Sequence, residues 1–166
     1  MAEFMTDACV ASELAKVAAL FHKKLSSDPV FRAAFPDPAA ARAHCRSFVD
    51  AYSLEGEIHR LTEDGVLQAA ALWSLPGQDV PSPTWDFSPE EPCCTLYLIA
   101  SRQPGAGKAL LEHAAARFAG TPFVTLCATA RQAAYFRRRG FADVGRTGFG
   151  TVLRLENDAP AKRNCP

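Results

Sequence analysis

The feature that most restricts this chain is a buried strand running straight into a glycine turn that opens a helix. Thr95-Leu96-Tyr97-Leu98-Ile99-Ala100 is a near-continuous apolar run, as expected for a central strand covered on both faces. After Ser101-Arg102-Gln103-Pro104-Gly105-Ala106-Gly107-Lys108, the residues Ala109, Leu110, Leu111, Ala114 and Phe118 recur with a helical period, and Gly120 closes the run. Such a turn aims several backbone N–H groups at one point, where the helix dipole adds positive potential. Gly105 and Gly107 leave room for a phosphate to reach the backbone. A nucleotide-triphosphate loop is excluded, because Arg102 stands in place of its first glycine and Ala109 in place of its Ser or Thr. A dinucleotide fingerprint is excluded by Leu110 at its third glycine. The pattern R/Q-x-x-G-x-G/A is satisfied at every position from Arg102 to Gly107.

Around this unit the chain alternates helices and strands. Val10, Leu14, Val17, Leu20, Phe21 and Leu25 predict a first helix, stopped before Pro29. VFRAAFPDP reads as a short apolar stretch ending in a turn. Asp37-Pro38 predicts an N-cap with proline at the first helical position, opening a helix through about Tyr52. Residues 57–62 and 66–73 read as a hairpin turning at Asp64-Gly65. The proline-rich stretch 77–92 reads as a structured loop, with Trp85-Asp86-Phe87 set in it. Pro122–Cys127 predicts a buried strand, Arg131–Arg139 a short helix, and Phe141–Val144 and Thr151–Leu155 two last strands. Residues 157–166 show no pattern and are expected to be a disordered tail. The expectation is one α/β domain over residues 1–156, a mixed sheet of about six to seven strands flanked by about four helices.

Composition narrows the function classes. With Lys plus Arg equal to Asp plus Glu at 18 each, neither nucleic acid nor anionic lipid is expected as a partner. No apolar run approaches the roughly 20 residues of a membrane span. The acidic start MAEFMTDACVASE lacks a basic signal region, so a cytoplasmic location is expected. The six cysteines and four histidines show no metal-ligand spacing, and no metal is expected.

A second motif joins the glycine turn: Tyr135-Phe136-Arg137-Arg138-Arg139-Gly140-Phe141, an aromatic four residues before a Gly-Phe pair. Together with DPVFRAAFPDP and AAALWSLPG upstream, the chain resembles the GNAT acyltransferase superfamily over roughly residues 10–155. The resemblance implies acetyl-CoA as co-substrate, with its pyrophosphate on Arg102, Gln103, Pro104, Gly105, Ala106, Gly107 and Lys108. It implies a pantetheine arm added to Leu98, Ile99 and Ala100 where two parallel strands splay, with Phe136 beside it. It implies direct attack of an amine on the thioester. Many relatives carry a tyrosine acid at the position of Phe136, which cannot donate. Tyr135, about 100° away around the helix, is the candidate acid and Tyr97 a second candidate. Thr129 replaces a familiar asparagine, and the connection from the strand into Arg102 is about three residues shorter than usual. No base stands out among Tyr97, Asp86, Glu90, Glu91 and His59. Trp73, Trp85 and Phe87, with Asp86, are expected to wall a pocket for a small cationic amine. A non-catalytic acyl-CoA-binding module and a protein- or tRNA-directed acetyltransferase are the alternatives. The oligomer expected is a monomer or homodimer.

Overall fold

The computed structural model describes residues 1–7, 9–78 and 91–158. In chain order the elements are β1 (Ala2–Met5), α1 (Ala11–Leu25), α2 (Pro29–Ala34), α3 (Pro38–Glu55), β2 (Glu57–Glu63) and β3 (Val66–Ser74). Then come β4 (Cys94–Ser101), α4 (Ala106–Arg117), β5 (Phe123–Cys127), α5 (Ala130–Arg137), β6 (Ala142–Thr147) and β7 (Gly150–Leu155).

Local chemistry accounts for the starts. Asp37 accepts from the amides of Ala39 and Ala40 at 3.2 and 3.1 Å, with Pro38 at the first helical position. Asp28 and Pro29 repeat the device for α2, a helix where the sequence predicts only an apolar stretch ending in a turn. The β2–β3 hairpin turns on Asp64 and Gly65, both at positive φ. β1 was not anticipated: four residues, mostly exposed, carry no alternation, and the strand exists through its pairing with β2 from Ala2↔Glu63 to Met5↔Arg60.

The seven strands form one mixed sheet in the order β1-β2-β3-β4-β5-β7-β6. Among the described residues only β4 and β5 run parallel, joined through α4. On one face α1 and α3 pack Val17, Leu20, Phe21, Cys45, Val49 and Tyr52 against Ile58, Leu67, Ala70 and Leu72. On the other, Leu110, Leu111 and Ala114 of α4 meet Ala69, Ala71, Trp73, Leu96 and Phe123, and Phe136 of α5 joins that cluster. The end of the described chain is held down as well. The Asn157 side chain donates to the carbonyls of Ala115 and Phe118 at 3.0 and 2.8 Å, and its carbonyl accepts from Gly120. Asn157, where the sequence reading began a patternless tail, therefore belongs to the packed body; 159–166 lie outside the described residues.

Two irregularities position the site. The β3–β4 register steps from Leu72↔Leu98 to Trp73↔Leu96, so Tyr97 is an extra residue in β4. Such a bulge bends its strand and increases the twist. The β4–β5 pairing stops at the same place: it runs from Cys94↔Phe123 to Leu96↔Thr125 and no further. Beyond Leu96 the two strands separate.

Candidate active site

Past the bulge, β4 pairs only with β3, from Leu72↔Leu98 to Ala69↔Ser101. Its other edge faces an opening toward β5. A small cavity in the splay is lined by Leu96–Ile99, Thr125–Cys127, Gln132, Phe136 and Lys24. A cleft of about 490 Å³ continues outward past Ile99, Ala100, Ser101 and Gly107. The far wall of that cleft is α5, through Arg131, Gln132, Tyr135 and Phe136.

The glycine turn closes one end of the cleft. The Arg102 amide donates to the Gln68 carbonyl at 2.7 Å, so the last residue of β4 is followed directly by the turn. Gly105 has φ 87° and stands at the N-cap, where a side chain would be strained. No side chain among the described residues caps α4. Ala106 and Ala109 bond back to Gln103 and Gly105, but among the described residues the amides of Gly107 and Lys108 donate to nothing. A Cβ on Gly107 would lie 3.1 Å from the Tyr135 hydroxyl and 3.6 Å from Ser101 Oγ. The turn thus offers, among the described residues, two free N–H groups and the positive end of a helix with no side-chain cap, the Tyr135 hydroxyl lying beside it, which fits a phosphate group. Arg102, Gln103, Pro104 and Lys108 are exposed around it, and Lys108 forms a surface pair with Glu112 at 3.5 Å.

No family model matches the sequence, and no curated protein matches it significantly. Solved structures do match. A Corynebacterium glutamicum protein described as histone acetyltransferase HPA2 and related acetyltransferase superposes with a TM-score of 0.69 at 22% identity, covering 98% of this chain and 99% of that one. An acetyltransferase of the GNAT family from Streptococcus agalactiae gives 0.67 at 13% identity, over 92% and 95%. The PaiA N-acetyltransferase of Thermoplasma acidophilum, in complex with coenzyme A, gives 0.61 at 9% identity, over 93% and 99%. The chain has the GNAT fold.

Within this GNAT fold the aromatic residues sort differently from their sequence order. Phe136 is buried, touches Phe141 at a centroid distance of 5.1 Å, and lines the splay cavity. Tyr135, the candidate acid, lies in the wider cleft with its hydroxyl over the first turn of α4, and is not part of the splay lining. Arg139 stacks on its ring at 3.4 Å and bonds its carbonyl at 2.8 Å. Burial raises the Tyr135 pKa, with Arg139 opposing. Tyr97 points to the opposite face of the sheet, stacked on Tyr52 at 5.3 Å and edge-on to Phe48 at 5.8 Å. Thr129 caps α5: its hydroxyl accepts from Gln132 N while Gln132 Oε1 accepts from Thr129 N.

One expected site residue is corrected, and one residue weighed as a base is set aside. Trp73 is fully buried between β3 and α4, packed on Phe123, Phe118 and His59, so it cannot wall a substrate pocket. It follows Ala69 and Ala71 onto the α4 face of the sheet by the ordinary alternation of β3. His59 is equally enclosed, held by Glu57 at 2.7 Å, and burial lowers its pKa to about 4 despite that partner. It is a neutral core residue, not an accessible base. Trp85, Asp86, Phe87 and Glu90 fall outside the described residues, while Glu91 is exposed and pairs with Arg154.

One residue escaped the sequence reading. Lys24, in the last turn of α1, reaches into the splay and its ammonium donates to the Ile99 carbonyl. It lines both the small cavity and the wider cleft; its side chain is exposed to solvent, and the protein atoms packed near the ammonium lower its pKa. The signal was present: Lys24 follows Val17 by seven residues and Phe21 by three, on the stripe that α1 buries.

Proposed function

We propose that this protein is an acetyl-CoA-dependent N-acetyltransferase acting on the amine of a small molecule in the cytoplasm, as a monomer or homodimer. The observation that carries the reading is the coincidence of two features at one cleft. β4 loses its β5 partner after Leu96, and the uncapped N-terminus of α4 opens onto the same space. Acetyl-CoA, when bound, supplies the acyl group as a thioester. The free amides of Gly107 and Lys108 hold the pyrophosphate with Arg102 adding charge, and Gly105 and Gly107 allow the close approach. The open edge of Leu98, Ile99 and Ala100 receives the pantetheine arm as an added strand. Backbone N–H groups of the same edge face the charge that builds on the acyl oxygen. Phe136 and Tyr135 form the wall that keeps the arm against β4.

A second reading, a non-catalytic acyl-CoA-binding module, rests on Phe136 standing where a hydroxyl is usual.

Calorimetric titration with acetyl-CoA and CoA tests the reading. Micromolar binding is expected for the wild type. Gly105→Glu combined with Gly107→Glu places carboxylates against the pyrophosphate and should weaken binding about 100-fold or more. Circular dichroism checks that the variant is folded. Absence of binding by folded wild-type protein removes the reading. Binding without thiol release across a broad amine panel favours the non-catalytic module.

A further inference from the structure

Resting on the acetyltransferase reading, we propose that Lys24 is the proton donor to the departing CoA thiolate, the role that Phe136 cannot fill. Three observations converge on it. Lys24 and Phe136 line the same cavity in the β4–β5 splay, so the ammonium sits in the space that a hydroxyl at position 136 would address. Among the described residues its ammonium hydrogen-bonds the Ile99 carbonyl alone, on the edge assigned to the pantetheine arm. Among the described residues it has no ion-pair partner, leaving an ammonium in a recess with spare donors and no counter-charge.

The groups that face Lys24 do not neutralise it. Cys127, from β5, is buried and its thiol is pushed up to about 11, so it stays uncharged near neutral pH. Arg131 and Tyr135, from α5, contribute a cation and a hydroxyl to the cleft. Asp28, in the turn after α1, already accepts from Val30 N at 2.8 Å as the cap of α2. Burial also lowers the Lys24 pKa, which makes the ammonium a stronger acid than an exposed lysine.

The step balances without another reactant. The acceptor nitrogen bonds to the acyl carbon as the carbon–sulfur bond breaks. Lys24 gives its proton to the sulfur that takes up the bonding pair, and is recharged through water by the proton the nitrogen sheds. Before that transfer the ammonium also stabilises the negative sulfur electrostatically.

The test uses the full chain and CoA itself, ¹³C-labelled at the carbon bearing sulfur, so that carbon NMR follows thiol ionisation across pH. Bound to wild type, the thiol should ionise about tenfold or more readily than when bound to Lys24→Met. Lys24→Arg should keep that gain, because its charge remains. Equal ionisation on wild type and Lys24→Met, with CoA bound to both, would overturn the assignment while leaving acetyl-CoA binding intact. Failure of wild type to bind CoA would overturn the acetyltransferase reading and this inference with it. Lys24→Arg separates charge from proton transfer. With an amine found in an acceptor screen, its kcat should fall about 100-fold at unchanged KM for acetyl-CoA, since arginine does not release a proton. A wild-type kcat in Lys24→Arg would show that charge alone suffices and would reject the donor role.

Discussion

The two halves of β4 are made of similar apolar residues and do opposite things. At Thr95 and Leu96 the strand has β3 on one side and β5 on the other, and Thr125 adds a buried hydrogen bond from its hydroxyl to the Leu96 carbonyl at 2.9 Å. From Tyr97 to Ser101 only β3 remains, and the other edge looks into the cleft. One inserted residue, Tyr97, separates them. The closed half satisfies its backbone within the sheet and is stabilised by packing. The open half keeps hydrogen-bonding capacity for something that is not part of the chain. A strand can thus hold a fold together and present a binding edge, provided that a bulge divides the two tasks.

That division predicts separable phenotypes. Trp73, opposite Leu96 in the closed half, should behave as core. Trp73→Ala is expected to cost about 4 kcal/mol in urea or guanidinium unfolding, with CoA affinity unchanged in whatever fraction stays folded. A selective loss of CoA affinity at undiminished stability would break the comparison. The open half should respond with the opposite sign. Burial lowers the Lys24 pKa below its unfolded value, so the folded state carries a penalty that is complete below the folded pKa. That penalty disappears as pH rises toward about 10.5, the unfolded value. Lys24→Met should therefore be slightly more stable than wild type at neutral pH, the effect being reduced by the solvent that reaches the side chain. The advantage should shrink as denaturation is repeated at rising pH. A variant less stable than wild type at every pH would mean that Lys24 is a structural tie.

The sequence carried the glycine turn because everything it needs lies in consecutive residues: an apolar strand, Gly105, Gly107 and the helix stripe that follows. The caps at Asp28 and Asp37 and the hairpin at Asp64-Gly65 are local in the same sense. The splay was expected only through the family resemblance, since it depends on where β5 stops pairing, which no local pattern records. Trp73 was expected in a pocket wall, but it continues the alternation of Ala69 and Ala71 onto the face that α4 covers, and which face a helix covers is not recorded in the local sequence. β1 was missed because a short exposed edge strand is specified by its partner. Lys24 looked like the ordinary basic end of a helix beside His22 and Lys23, and only its place on the buried stripe distinguished it.

The central claim, that the open edge of β4 and the start of α4 form one acyl-CoA site, is tested most directly by amide hydrogen exchange with and without CoA. Slower exchange is predicted in peptides covering 97–101 and 105–108, with the closed half at 94–96 and its partner at 123–125 unchanged. CoA binding that leaves 97–108 unaffected and protects another surface would contradict the account.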